Sequence, residues 1–261
     1  MKVRKSNSLP AHRAARALTA AGLWLLLACF SAPAPAQEKW SFDVTPYLWI
    51  AIPDAETSLP NVAQTTASGV DRDYDTRVSA GAMIAAQARY GSVGLLVDFA
   101  WLQLDTEALN PGPSFSAGNL TSDFIYTTAA VSYSLPLSGK FHAEMLAGAR
   151  LWSVSEDLEF QSGEQPGFQA SVDRTWVDPM IGADLRYDLS KKWFVGAKGL
   201  VGGFGVSADM AYEVFGGVGY RFTDWCSATI GYRYLYEKYS SNGLDLKVNF
   251  QGFLLGFGFH F

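Results

Sequence analysis

The chain has 261 residues, of which 17% are charged and 14% are aromatic, and it contains 25 glycines. The charged share lies below the roughly 25% of soluble domains, and a formal net charge of −5 argues against a general nucleic-acid binder. Two cysteines exclude a disulfide scaffold or a multi-cysteine zinc module. Outside one N-terminal run, no apolar stretch is long enough to cross a bilayer as a helix.

Residues 1–36 have the pattern of a secretory signal peptide. Five basic residues and no acid accompany an apolar run over 17–30, and Ala34-Pro35-Ala36 is a small-x-small cleavage site. We therefore predict cleavage after Ala36. Residues 37–261 then keep fifteen basic and twenty-five acidic residues, a net charge of −10. The alternative is a lipobox over 26–29, in which Cys29 would be lipidated.

Residues 40–52 begin a series of strands. Trp40, Phe42, Leu48 and Ile50 belong to an apolar face that alternates with a mixed one, and a period of two predicts a strand. The same alternation recurs nine times, over 77–90, 93–105, 122–135, 140–153, 174–189, 193–201, 212–222, 226–237 and 246–261.

The connections between these strands alternate in length. Tight turns near 91–92, 136–139, 190–192 and 223–224 alternate with mostly long, polar loops over 53–76, 106–121, 154–173, 202–211 and 238–245. Aromatic residues flank the short turns, as at a membrane interface. We predict an all-β fold over 37–261, a transmembrane antiparallel up-and-down β-barrel of ten strands, with eight or twelve as alternatives. A soluble β-sandwich or lipocalin-like barrel is disfavoured, because the face opposite the apolar one carries charges and glycines.

The last predicted strand ends on an alternating aromatic pattern. We interpret Phe257, Phe259 and Phe261 as a C-terminal sorting signal that the outer-membrane barrel assembly machinery reads.

Several segments resemble a family of small, mostly uncharacterised outer-membrane β-barrel proteins of Gram-negative bacteria. They are WSFDVTPYLW (40–49), WVDPMIG (176–182), GGFGV (202–206), GYRYL (231–235) and the terminal strand. The resemblance spans essentially all of 37–261. It implies a small, porin-like barrel in the cell outer membrane, in contact with lipid and lipopolysaccharide, and it implies no reaction.

The face opposite the lipid-facing one predicts a polar, largely plugged lumen. A ten-stranded barrel is narrow, and charges inside it should pair, because isolated buried charges are costly. The predicted lumen network consists of Asp43, Asp98, His142, Glu144, Arg150, Arg174, Asp178, Asp184, Arg186, Lys198, Glu213, Arg221 and Arg233, joined by Arg89.

We predict no catalytic site and no cofactor. His142 and His260 both fall at the short-turn end of the barrel, so a surface enzyme acting on lipid or peptide is the weakest alternative. Asp71, Asp73 and Asp75 are a metal candidate, since oxygen ligands suit divalent cations. The segment lacks the glycine and the distal glutamate of an EF-hand loop, which favours solvated loop charge.

The charge distribution leads to the functional hypothesis. The predicted loops 53–76 and 154–173 carry nine of the ten excess negative charges. We expect a non-enzymatic outer-membrane protein with acidic extracellular loops and an envelope or surface role. The alternative is a narrow channel for small cationic or amphipathic solutes, because an acidic entrance concentrates cations.

Overall fold

The computed structural model describes residues 40–58, 65–68, 74–108, 115–241 and 244–261. The predicted signal peptide lies outside the described residues, as do Asp71 and Asp73 of the metal candidate; of Asp75 only the backbone is described. In the described part of the chain, no helix is both long enough and apolar enough to span a bilayer.

Strands make up nearly all of the described residues. In chain order they are β1 (Trp40–Ser58), β2 (Thr65–Ser68), β3 (Tyr74–Tyr90), β4 (Val93–Ala108), β5 (Phe115–Ser134), β6 (Phe141–Ser162), β7 (Phe168–Asp188), β8 (Trp193–Gly202), β9 (Ala208–Arg221), β10 (Cys226–Ser241) and β11 (Leu244–His260).

The strands close into a barrel. Successive strands pair antiparallel from β3 to β11, and β1 joins the two ends by pairing with both β3 and β11. The pairing of β1 with β11 runs from Asp43↔His260 to Ser58↔Asp245. The short β2 pairs only with Asp54–Thr57 of β1, so ten strands build the wall. The predicted ten-stranded up-and-down barrel is confirmed; closure leaves no lipid-exposed sheet edge.

Side chains alternate between the two faces of the wall. On β6, Met145 and Leu151 are exposed on the outside, whereas Arg150 and Trp152 are fully buried inside. The outward apolar belt of β6 runs from Phe141 to Leu151, and a tilted strand of roughly nine to eleven residues is what a bilayer requires. The exposed apolar face is therefore the lipid-facing surface. Short turns lie on the periplasmic side of such barrels, so the opposite end is called the outer end.

The strands continue beyond this belt at the outer end. Outward residues change from apolar to polar at similar positions on four neighbouring strands. Trp101 to Gln103 of β4 lies opposite Ile125 to Asp123 of β5, and Leu151 to Ser153 of β6 lies opposite Val177 to Thr175 of β7, with an offset of two residues between β5 and β6. Beyond these positions β3 to β7 form what we call the projecting sheet, residues 74–78, 103–108, 115–123, 153–162 and 168–175.

The projecting sheet corrects two predicted loops. The loop predicted over 154–173 is wrong in extent, because β6 runs to Ser162 and β7 begins at Phe168. The loop predicted over 106–121 is likewise shortened by β5, which begins at Phe115. Antiparallel pairing extends through the backbone, whereas the sequence pattern fades once the outward face carries polar groups in water.

Two prolines interrupt the wall locally. The pairing of β1 with β11 skips Thr45 and Pro46 and then resumes in the same register. The pairing of β7 with β8 stops at Met180, next to Pro179. Both interruptions follow from the missing N–H of proline. At the second one β8 ends at Gly202, whereas β7 continues toward the outer end.

Candidate functional site

The centre of the lumen holds a cluster of buried charges, which we call the central layer. Asp98, Arg150, Glu213 and Arg233 are at most 2% exposed. Arg233 Nη2 lies 2.9 Å from Asp98 Oδ2 and 2.8 Å from Glu213 Oε1, and Arg150 Nη2 pairs with Glu213 Oε2. Lys198 Nζ lies 3.6 Å from a carboxylate oxygen of each acid. Three cations thus surround two carboxylates, and their side chains come from five strands.

Neutral groups complete the central layer. Tyr47 donates from its hydroxyl to Asp98 at 2.6 Å and accepts from Arg233 Nη1 at 2.8 Å. Arg150 Nε donates to Thr128 Oγ1 at 2.8 Å. The Arg150 guanidinium lies 5.2 Å from the ring centroid of Tyr126, within reach of a cation–π interaction. These contacts fix the charged side chains across the lumen.

Aromatic side chains fill the lumen between the central layer and the outer end, in what we call the aromatic layer. Trp176 stacks on Tyr239 with ring centroids 4.3 Å apart, and Trp152 lies 5.9 Å from Trp176. Tyr126 lies 5.0 Å from Trp152. The layer is completed by Trp49, Phe124 and Phe250, with Leu235, Leu246 and Val248 packed among them. The predicted charge network does not include this layer, although Tyr47 and Trp49 occupy lumen-facing positions of the first strand.

Two buried carboxyl groups lie where the two layers meet. Trp176 Nε1 donates to Glu237 Oε1 at 3.2 Å, and the Ala208 N–H donates to Asp178 Oδ1 at 2.7 Å. The side chains of Glu237 and Asp178 also share a hydrogen bond, so the two carboxyl groups form one buried pair. Sequence reasoning missed Glu237.

A second polar cluster, the short-turn layer, lies at the periplasmic end. Arg89 places Nη1 3.0 Å from Asp43 Oδ2 and Nε 2.8 Å from Glu144 Oε1. Gln87 Nε2 donates to Glu144 Oε2 at 2.7 Å. His260 of β11 lies opposite Asp43 in the β1–β11 ladder, so the last strand also joins this cluster. The short-turn layer therefore ties β1, β3 and β6 to β11.

Ser227, His260 and Asp43 stand in the order of a nucleophile, a base and an orienting acid. Ser227 Oγ lies 3.0 Å from His260 Nε2, and His260 Nδ1 lies 2.5 Å from Asp43 Oδ1. Hydrolases use such a chain to activate serine. Here the three residues join β10, β11 and β1 at the seam that closes the barrel, Ser227 is only 3% exposed, and Asp43 also pairs with Arg89.

The remaining predicted lumen residues are more dispersed. At the short-turn end, Asp188 accepts from Arg221 Nη2 at 2.6 Å and lies 3.2 Å from His142 Nε2; Arg186 Nε is 3.5 Å away. Asp184 lies opposite Lys198 across the β7–β8 ladder. Arg174 lies on the projecting sheet, apart from the network, where Nη1 donates to the Asp173 carbonyl.

The outward face of the projecting sheet is acidic. Arg77 supplies the one basic side chain among the described residues of that face, and it forms an ion pair with Glu107. The carboxylates of the face belong to Asp105, Glu107, Asp123, Asp157, Glu159 and Asp173. The described residues contain no group of three or more His, Cys, Asp or Glu side chains placed to hold a metal ion.

The closed wall, its apolar outer belt and its polar interior define an integral β-barrel membrane protein. Residues 22–200 match the family described as outer membrane protein beta-barrel domain, and the chain belongs to this family. Proteins of this family are located in the outer membrane of Gram-negative bacteria, and this location applies to the chain. No curated protein sequence matches the chain.

One solved structure supports the fold. The outer membrane protease OmpT from Escherichia coli is 9% identical with a TM-score of 0.52, over 88% of this chain and 99% of that one. At this identity the likeness concerns the fold alone. The chain is also similar, with lower TM-scores, to OprG from Pseudomonas aeruginosa, which is 12% identical with a TM-score of 0.37 over 86% and 97%. The translocator domain of NalP from Neisseria meningitidis is 11% identical with a TM-score of 0.40, over 96% and 98%.

Proposed function

We propose that this protein is a non-enzymatic outer-membrane barrel with a closed lumen, which presents the projecting sheet at the cell surface. The observation that carries the proposal is the filling of the lumen. Arg150, Trp152, Tyr126, Phe124 and Arg233 are among the largest fully buried side chains, and all of them point into the barrel. A side chain that is fully buried inside a barrel occupies the space through which a solute would pass.

The proposal that the protein is not an enzyme rests on the places of its two described histidines. His142 is held by Asp188 beside a short turn, and His260 belongs to the seam between β1 and β11. Both lie at the end away from the outer leaflet and the cell surface. The buried Ser227 has little room for the approach of an acyl group.

Single-channel recording in planar bilayers tests the closed lumen. We expect no conductance steps from the unaltered protein, and steps from a variant that shortens both layers, Arg150→Ala/Trp152→Ala/Trp176→Ala/Arg233→Ala, because the central layer and the aromatic layer close the lumen in series. The mobility of unboiled samples in SDS gels checks that the variant is folded. Regular steps from the unaltered protein would contradict the closed lumen, and silence from the folded variant would contradict the assignment of the two layers as the plug.

A further inference from the structure

The outer part of β7 is an open edge of the projecting sheet. β7 pairs with β8 only from Met180 to Asp188, and among the described residues no strand pairs with 168–179 on that side. The turn after β8 crosses beside Pro179, whose carbonyl accepts the Gly203 N–H at 3.2 Å. Beyond this turn β7 continues toward the outer end with β6 on one side only.

Two hydrogen bonds identify the backbone groups of the open edge. The carbonyls of Pro179 and Val177 point to the β8 side, because they accept from Gly203 N–H and from Ser207 Oγ, the latter at 2.8 Å. Alternate residues of a strand direct their backbone groups to the same side. The N–H and C=O groups of residues 169, 171, 173 and 175 therefore face the open edge. Of these groups, the described residues cover only the Asp173 carbonyl, which accepts from Arg174 Nη1 at 2.8 Å. The others form a template for another strand.

Exposed carboxylates flank this edge. Asp157 and Glu159 lie on β6 directly opposite Ser171 and Gln169, and Asp173 lies on β7 itself. None of the three carboxylates forms an ion pair within the described residues. Side chains of an added strand would lie directly beside Asp173 on the same face, where opposite charges are favourable and like charges are not. Asp157 and Glu159 would lie one strand farther away, about 9 to 10 Å from the added backbone, a distance that a long basic side chain can bridge. The edge therefore selects for basic side chains.

The foot of the edge is apolar. Phe204 and Val206, in the turn between β8 and β9, are 58% and 69% exposed. Phe204 has a φ of 52°, in the left-handed region that a phenylalanine rarely adopts. The hydrogen bonds of Gly203 and Ser207 to β7 hold this turn beside residues 177–179. An apolar residue at one end of an added strand would find a partner here.

We infer that the open edge of β7, from Gln169 to Thr175, binds an extended basic segment of another protein as an added strand. Main-chain hydrogen bonds to the edge supply affinity, and Asp157, Glu159 and Asp173 select the charge. The inference rests on the proposed function in one respect, the presentation of the projecting sheet at the cell surface. It does not require the lumen to be closed.

The test uses the full-length protein in lipid nanodiscs and a fluorescent ten-residue peptide of alternating lysine and threonine. Fluorescence anisotropy should show saturable binding that weakens with salt. Two control peptides separate the contributions: an alternating glutamate–threonine peptide, and the lysine peptide N-methylated at every residue, which keeps its charge but cannot donate main-chain hydrogen bonds. Both should bind at least about ten-fold more weakly.

A matched pair of variants locates the site. Ser171→Pro removes a backbone N–H that faces the open edge and removes no hydrogen bond between β7 and β6, so it should weaken binding about ten-fold. Ser171→Ala keeps this N–H and should leave binding unchanged. The variant Asp157→Asn/Glu159→Gln/Asp173→Asn should weaken binding similarly and reduce its salt dependence.

Two results would overturn the inference: equal affinity of the S171P and S171A proteins, or undiminished binding of the N-methylated peptide. Were S171P to fail to fold, as seen by gel mobility, the N-methylated peptide and the triple variant would decide the matter. Ion conductance combined with a loss of binding in S171P would refute the closed lumen but support the docking site.

Discussion

The central layer makes a sharp prediction for the variant Glu213→Gln. Glu213 is fully buried, and its carboxylate contacts Arg150, Arg233 at 2.8 Å and Lys198 at 3.6 Å. Glutamine keeps the volume, so no cavity forms, but Arg150 loses its carboxylate partner, and Arg233 and Lys198 keep only their contacts with Asp98. Removing one partner of a buried ion pair costs about 3 to 5 kcal/mol, because the remaining charges are desolvated and uncompensated. We expect a loss of this size in the free energy of unfolding.

The assay is urea unfolding in phospholipid vesicles, followed by tryptophan fluorescence and by the mobility of unboiled samples. The double variant Glu213→Gln/Arg150→Met removes one charge of each sign and should recover at least about 1 kcal/mol of the loss. Arg77→Gln is the control, since this exposed ion pair of the projecting sheet should contribute less than about 1 kcal/mol. Stability of E213Q within about 0.5 kcal/mol of the unaltered protein would refute the assignment of a desolvated ion cluster.

Two further predictions concern the seam and the wall. A fluorophosphonate probe should not label Ser227 in the folded barrel, because the serine is buried and belongs to the seam; labelling that disappears in S227A would overturn the non-enzymatic proposal. Gly252→Ala should lower the free energy of unfolding by about 1 to 3 kcal/mol, since a Cβ would lie 1.9 Å from the Ile50 carbonyl, whereas Gly216→Ala, with open space around it, should be neutral. Equal stability of these two variants would contradict the close approach of β11 to β1.

The paired wall and the open edge belong to two regions of different chemistry. Within the bilayer, every strand is paired and charged groups are compensated inside the wall, because lipid offers no hydrogen-bond partners. Beyond the outer boundary, water can satisfy backbone groups, so β7 can leave one edge unpaired. The feature available for recognition therefore lies where the wall no longer needs to be closed.

Part of this architecture could be predicted from local patterns. The alternation around Phe141–Leu151 and the short turns such as Gly91-Ser92 depend on neighbouring residues, so they indicated the strands, the lipid-facing surface and the ten-stranded wall. The same reasoning failed beyond Leu151, where the outward residues of β6 become polar. The outer part of β6 was predicted to be a loop, but backbone pairing with β5 and β7 keeps it in a strand.

The sequence by itself thus determined the class of fold, the membrane-facing surface and which residue types point inward. Only the tertiary structure decided which inward residues meet: Arg233 contacts Tyr47 across 186 positions of the chain, and His260 contacts Asp43 across 217. It also decided that Arg174 stands apart from the lumen network and that Glu237 and Trp176 share a hydrogen bond. The physical reason is that alternation is set by the geometry of one strand, whereas partners across a lumen depend on the register and closure of all ten.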